Sequence, residues 1–488
     1  MTPYLVIALL VIPIAASFSA LLTNHIVRLA SRRLAALTIF CCASLVAYEI
    51  TLSGEVVDIV LSGWQVPLGI RLHVDGLSAL LLVMTGFIAA CITFFAEAYF
   101  GKQAQRGRLA FFWPLWFLAW TALNGLFVSG DAFNLYVTLE IINLAAVAMV
   151  ALPRTEEAVK AALGYLVIAF LGSLSYLFGV AILYTSLGTL DIQLLAHRAV
   201  ADGPFILAAV LMLIGLMIKT ALFPLHFWLP PAHASAPTPV SALLSGLVVT
   251  ASAYMIVRFG FTVFAPLLTT PVTMLLGLLG ALAVVWGSLH AFMQERVKMV
   301  IAYSTIAQLG YVFVVFPIVT INPDSVSLVW YGVLYFMVSH ACAKAAAFLA
   351  AGTLKKALGH DSIAHIGGAA IHWPMVLMAF GLAGVNLIGL PPSGGFIGKW
   401  LMLQGAIKAG QWLIVATLIV GSLLAAAYIF RVLRVALRTP EGPPPQAQNI
   451  APLAALALIL AMAPLLLGVF SQFPFALLAV GSPFGGAP

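Results

Sequence analysis

The sequence predicts an all-α polytopic membrane protein of about fourteen transmembrane helices, with an inverted five-helix repeat in which helices 7 and 12 are broken. Three observations lead there. Of 488 residues, 63% are apolar and 8% charged, whereas a soluble domain carries about 25% charged residues. Apolar runs of about 20 residues, enough to cross a bilayer as a helix, recur from end to end. Two of these runs, five apart, are interrupted by Pro and Gly beside a lysine. A soluble enzyme is excluded. Nucleic-acid binding is excluded too, because the net charge of +7 comes from scattered Lys and Arg without a basic patch or tail.

A hydropathy window of about 19 residues places spans at 3–22, 34–52, 77–98, 109–128, 132–152, 161–186, 205–225, 239–260, 272–292, 299–319, 326–352, 373–400, 411–432 and 450–472. Backbone groups in lipid must bond within their own segment, and the two-residue alternation of a membrane barrel is absent, so the spans are helices. The first stretch, Thr2 to Leu22, lacks a basic leader region and is long enough to span, so it reads as a retained helix and not a cleaved signal. Cys41, Cys42, Cys91 and Cys342 sit inside apolar runs without CxxC or metal-ligand spacing and read as buried small hydrophobes.

Orientation follows from the loops. Odd-numbered loops hold Arg28, Arg32, Arg33, Lys102, Arg106, Arg108, Arg154, Lys160, Arg296, Lys298, Lys355, Lys356, Arg431, Arg434 and Arg438, against Arg71, Arg198, Arg258 and Lys408 in even-numbered ones. This charge bias predicts a multi-pass protein of the cell inner (plasma) membrane, odd loops cytoplasmic and both termini outside. Three basic residues remain, Lys219, Lys344 and Lys399, and these fall inside spans.

The seventh span reads Ile218-Lys219-Thr220-Ala221-Leu222-Phe223-Pro224 and runs into Pro230-Pro231; the twelfth reads Leu390-Pro391-Pro392-Ser393-Gly394-Gly395-Phe396-Ile397-Gly398-Lys399. Because five is odd, a second copy of a five-helix unit enters the bilayer from the opposite face. Broken helices at matching positions of such a repeat point to an ion site near the midplane. The expected organisation is N-terminal helices 1–3 over 1–108, a first unit of helices 4–8 over 109–260, a second of helices 9–13 over 261–438, and a C-terminal loop and helix 14 over 439–488.

An ionisable group at a span centre costs about 2.5–3.5 kcal/mol even on the lenient insertion scale, so it is paired, hydrated or functional. Glu140 and Lys219 are the natural pair, and moving the carboxylate away would release the lysine's proton, the elementary step of a pump. The plain alternative is a static ion pair that fixes packing. His340 and Lys344 share one helix face among small residues that leave room for a hydrated relay. Lys399 has no acidic residue in its own or adjacent spans, which suits a water-filled exit. His226 and His233 flank Pro230-Pro231 and read as a proton-uptake point; the stretch from Ala234 to Pro239 offers no further metal ligands. Neither a metal site nor a cofactor site is expected. Asp75 reads as an N-cap of the third span, and Arg431, Arg434 and Arg438 as a positive-inside anchor.

The stretch Glu295-Arg296-Val297-Lys298-Met299-Val300-Ile301-Ala302-Tyr303-Ser304-Thr305-Ile306-Ala307-Gln308-Leu309-Gly310-Tyr311, together with Pro237-Thr238-Pro239-Val240-Ser241-Ala242-Leu243-Leu244, resembles the antiporter-like, proton-translocating subunits shared by respiratory complex I, membrane-bound hydrogenases and Mrp-type Na+/H+ antiporters. The likeness runs from about Asp75 to Arg434, and Leu225-His226-Phe227-Trp228-Leu229-Pro230-Pro231-Ala232-His233 is most similar to the MrpD branch of these antiporters. The resemblance implies fourteen helices with helices 4–8 and 9–13 as inverted repeats. It also implies roles: Glu140 as the fifth-helix glutamate, Lys219 as the lysine of the broken seventh helix, His340 and Lys344 as the relay of the eleventh, and Lys399 as the twelfth-helix lysine near the exit. One departure stands out. Many relatives place a lysine in the eighth helix where this sequence has Thr250. A threonine can hold a water but cannot store a proton, so either water and His340 bridge the gap between Lys219 and Lys344, or the subunit conducts poorly.

The function expected is proton translocation within a multi-subunit monovalent cation/proton antiporter, Na+ being the expected cation, with other membrane subunits and the lipid bilayer as partners. It is a transporter subunit more than a catalyst. The rival is a pumping subunit of a redox-driven complex, resembling NADH-quinone oxidoreductase or a hydrogenase, whose redox centres would lie in partners. A non-conducting scaffold subunit is the third option, kept open by Thr250.

Overall fold

The computed structural model describes residues 1–21, 25–64, 66–101, 110–439 and 450–484. Among them, eleven helices are long and apolar enough to cross a membrane, and three shorter apolar helices accompany them, Phe112–Val128, Gly203–Lys219 and Pro374–Ile388. These fall one for one on the fourteen expected stretches, and the protein is an all-α polytopic membrane protein. Lys102, Arg106 and Arg108, three of the charges used for orientation, and the expected unit boundaries near 108 and 439 lie at or outside the edges of the described residues.

Burial sorts the spans into a centre and a rim. The eighth span, Thr238–Phe261, and the eleventh, Val326–Leu358, are wholly buried over their apolar windows, whereas the first, Thr2–Ser19, is 22% buried and turns most of its side chains outward. Since lipid tails are as apolar as leucine, helices associate by close packing at small residues. At the crossing of spans 6 and 7, a Cβ on Gly215 would stand 2.4 Å from the Gly172 carbonyl oxygen. At the crossing of spans 9 and 10, one on Gly310 would stand 2.5 Å from that of Gly280. Only glycine lets these backbones meet.

Two features were not expected. A β-hairpin, β1 Val57–Val60 and β2 Arg71–Val74, pairs antiparallel with Asp58 opposite His73 and lies at the even-loop end of the helices. Within the eighth span, Leu244–Val248 forms a π-helical turn just before Thr250, a distortion that often marks functional sites. A short helix after the last span, Gln472–Ala479, leads back to the even-loop end, where Gly76 N–H donates to Val480 O at 2.9 Å.

Three expectations need correction. Cys41 is exposed on the rim, while Cys42, Cys91 and Cys342 are buried. Arg258, counted as a loop charge, lies in the last turn of the eighth span and is 8% exposed. Lys298, also counted as a loop charge, lies in the first turn of the tenth span, Val297–Ile321, and is buried. Both side chains have partners inside the protein, and those partners are far apart in sequence.

Candidate functional site

The first part of the site forms where the seventh span stops. Gly203–Lys219 ends at the lysine, and the helix resumes only at Leu229–Ser235. Pro224 has no N–H to continue the ladder, and Ala221 takes a left-handed φ of 55°, turning the chain out of the helix. Trp228 closes the opening: its Nε1–H donates to Ile218 O at 2.9 Å, and its ring stacks on Tyr165 with centroids 4.3 Å apart.

The lysine at this helix end reaches the fifth span, Ala132–Val150. Lys219 Nζ donates to Glu140 Oε1 at 2.9 Å, with the two side chains 2% and 19% exposed. Ser173 of the sixth span also donates to Glu140 Oε1, and Asn143 Nδ2 lies 3.5 Å from it. Sequence reasoning found the pair but not Ser173, because one serine in an apolar run carries no signal.

Deeper in the protein, Thr250 is buried and its hydroxyl has no hydrogen-bond partner among the described residues. Lys344, fully buried, donates to Ile301 O at 3.1 Å and to Ser304 Oγ. His340 stacks on Phe336, and both ring nitrogens lack a protein partner among the described residues. It lies one helical turn before Lys344 and within electrostatic reach of Lys399. His233 is wholly buried, stacked on Phe348 at 4.6 Å, without a partner on either ring nitrogen among the described residues, and within electrostatic reach of Lys298 and Lys344. Lys298 Nζ in turn donates to Ala236 O. Unpartnered buried polar atoms in a row are the places where bound water is expected.

The last part forms at the break of the twelfth span. Pro374–Ile388 ends in Gly389, with φ 86°, and Gly394–Lys408 restarts with the Ser393 hydroxyl accepting from Phe396 N–H at 3.2 Å. Asn386 fastens the two halves: its Oδ1 accepts from Gly395 N–H at 2.8 Å and from Ser339 Oγ, and its Nδ2 donates to Ser339 O at 3.2 Å. Lys399 Nζ donates to Leu387 O at 3.0 Å, Ile388 O at 3.1 Å and Ser422 Oγ at 3.2 Å, 4.5 Å from the centre of the Tyr311 ring. A crevice of about 340 Å³ between spans 12 and 13 reaches this lysine from the rim. Tyr311 stood in the motif read from the sequence; Asn386 and Ser422 gave no signal there.

His226 is placed apart from this row. Its ring lies against Phe223 and Trp286, and His290 stacks on the same tryptophan with centroids 3.7 Å apart. Among the described residues no three His, Cys, Asp or Glu side chains converge as metal ligands would. Asp75 caps the third span, accepting from Ser78 N–H at 2.8 Å, and also binds Arg258 through Nη1 at 2.5 Å and Nη2 at 3.0 Å. Burial raises the Asp75 pKa, but the adjacent guanidinium overcomes this and holds it down at about 2.

Comparison with known proteins agrees with this architecture. Residues 129–425 match the family described as NADH:quinone oxidoreductase/Mrp antiporter, TM. An NADH-quinone oxidoreductase subunit N of Desulforudis audaxviator is 36% identical, over 89% of this chain and 86% of that protein. The D subunit of an Na(+)/H(+) antiporter of Alkalihalophilus pseudofirmus is 28% identical, over 83% of this chain and 82% of that one. A chain in the structure of the Mrp complex from Dietzia superposes with a TM-score of 0.88 at 23% identity, covering 99% of this chain and 98% of the other. That likeness concerns the fold.

Proposed function

This chain belongs to the NADH:quinone oxidoreductase/Mrp antiporter family of membrane subunits, and we propose that within a multi-subunit complex it moves protons along the buried row Glu140, Lys219, Thr250, His233, Lys344, His340 and Lys399. The observation that carries this proposal is the Lys219 ammonium, at the end of an interrupted helix, held by a carboxylate on a different span. An ion pair between two helices is a two-position element. With Glu140 in contact the ammonium keeps its proton, and with Glu140 withdrawn the desolvated amine gives it up to the next acceptor. Lys298 and His233 supply an uptake branch from the odd-loop end, a role the sequence had suggested for His226 and His233.

The driving force we propose is exchange of a monovalent cation, Na+ first, as the name of the antiporter relative suggests. A redox-driven pump is the second reading, favoured by the higher identity to the oxidoreductase relative. The complex purified through a tag on this chain and reconstituted in vesicles separates them: antiport gives proton movement on a Na+ jump, and the redox reading gives it only with an electron donor and quinone. In either system Lys219→Ala abolishes proton movement while the complex still assembles. Full flux in an assembled Lys219→Ala complex sinks the proposed axis.

A further inference from the structure

At the even-loop end, the hairpin, the start of the third span, the end of the eighth span and the short helix Ile192–Arg198 enclose a cavity of about 200 Å³. Its polar lining includes Arg71, His73, Asp75, Gln193, His197 and Arg258. A volume of that size holds several waters. The cavity is joined to the membrane interior along one helix face. Thr250, Tyr254 and Arg258 are spaced i, i+4, i+8 on the eighth span and are all buried. Arg258 Nε donates to Tyr254 Oη at 3.1 Å, while its other nitrogens bind Asp75. At the inner end of this column is the Thr250 hydroxyl, buried and without a partner among the described residues.

His73 stands at the outer end. Its Nδ1 lies 2.8 Å from Asp58 Oδ1, and its Nε2 lies 4.0 Å from Asp75 Oδ2, just beyond hydrogen-bond length. The hydrogen bond from His73 keeps the Asp58 carboxyl below its ordinary pKa. An ionised carboxylate only accepts, so Nδ1 carries a hydrogen, and in the neutral imidazole Nε2 is then the lone-pair nitrogen nearest Asp75. The remaining neighbours are accounted for. Arg71 is bound to Asp191 at 2.9 Å, Asp131 lies beyond Asp191 on a backbone bridge, Gln193 Nε2 is 3.3 Å from His73 Nδ1, and His197 is on the exposed wall.

We propose that this cavity is a second, pH-gated port of the proton axis: a proton from the even-loop side binds His73 Nε2, and the imidazolium draws Asp75 off Arg258, opening the column along the eighth span to Thr250. This rests on the proton axis proposed above. The step is a proton transfer from cavity water to the imidazole. Nε2 changes from acceptor to donor, gains Asp75 Oδ2 as partner, and one Arg258–Asp75 hydrogen bond breaks. At neutral pH on that side the guanidinium, closed on its carboxylate, blocks the column; in acid the column fills with water.

The test uses the reconstituted complex with wild-type chain, His73→Gln and Lys219→Ala, with the even-loop side held at pH 7.5 and 5.5. Hydroxyl-radical labelling of Tyr254, which marks side chains in contact with water, is expected to rise several-fold at the lower pH in the wild type and to stay flat in His73→Gln. Proton flux in His73→Gln loses its dependence on even-loop-side pH. Tyr254 labelling that ignores pH in the wild type, or responds equally in His73→Gln, overturns the port. If Lys219→Ala abolishes flux but His73→Gln keeps the wild-type pH profile, the port fails and the axis stands. If Lys219→Ala retains flux, the axis fails and takes the port with it.

Discussion

The two broken spans solve one problem in different ways. Each holds a buried lysine beside an unwound segment, and each unwound segment contains a residue of positive φ, Ala221 in one and Gly389 in the other. At the first break the ammonium is balanced by a carboxylate on a neighbouring span. At the second it rests on two main-chain carbonyls, a hydroxyl and the face of a tyrosine. A side-chain anion can swing away, whereas carbonyls held by the Asn386 clasp cannot. In the proposed axis the first lysine is therefore the switch and the second a fixed station. Backbone dipoles and an aromatic face are enough to hold a cation where no acid is present.

The sharpest way to break this contrast is Glu140→Gln, which keeps shape and removes the anion. Removing one partner of a buried pair costs about 3–5 kcal/mol because the other charge is left unbalanced. Reconstituted flux is expected to fall by orders of magnitude and its pH profile to change. An unchanged profile would make Glu140 a packing residue and the first break a fixed station too.

A smaller effect is expected at the link between the two regions. In the proposed row His340 carries protons between Lys344 and Lys399, and a proton hop needs donor and acceptor in hydrogen-bond reach or bridged by one water. His340→Ala should therefore lower flux more than Ala at His360 or His365, and Thr250→Lys should be tolerated. Wild-type flux in His340→Ala would mean that the path does not run through His340.

The mildest change tests the fixed station itself. Tyr311→Phe keeps the ring under Lys399 and should leave flux near wild type. Tyr311→Leu removes an attraction of about 0.5–2 kcal/mol and should lower flux several-fold with the complex intact. Equal flux in both variants would mean that the carbonyls alone hold the ammonium.

Much of this was legible in the chain before folding. The fourteen apolar stretches, the two Pro/Gly breaks and the Lys219, Lys344 and Lys399 positions follow from composition and spacing, because the bilayer fixes helix length and makes any buried charge conspicuous. The cap at Asp75 was legible for the same local reason: an Asp before Gly76-Leu77-Ser78 has an N–H three residues on within reach.

What the sequence did not reveal is which charges lie near the surface and which lie within. Lys298 and Arg258 look like loop residues when counted along the chain, yet the fold brings Ala236 to one and Asp75, 183 positions away, to the other. His233 looked like a loop histidine and is wholly buried against Phe348. The hairpin and the cavity beneath it were not visible at all, since they depend on four separate loops meeting at one end. Periodicity and hydropathy are local and were set by the sequence alone. The partner of each buried charge depends on how the helices pack side by side, and only the tertiary structure decided that.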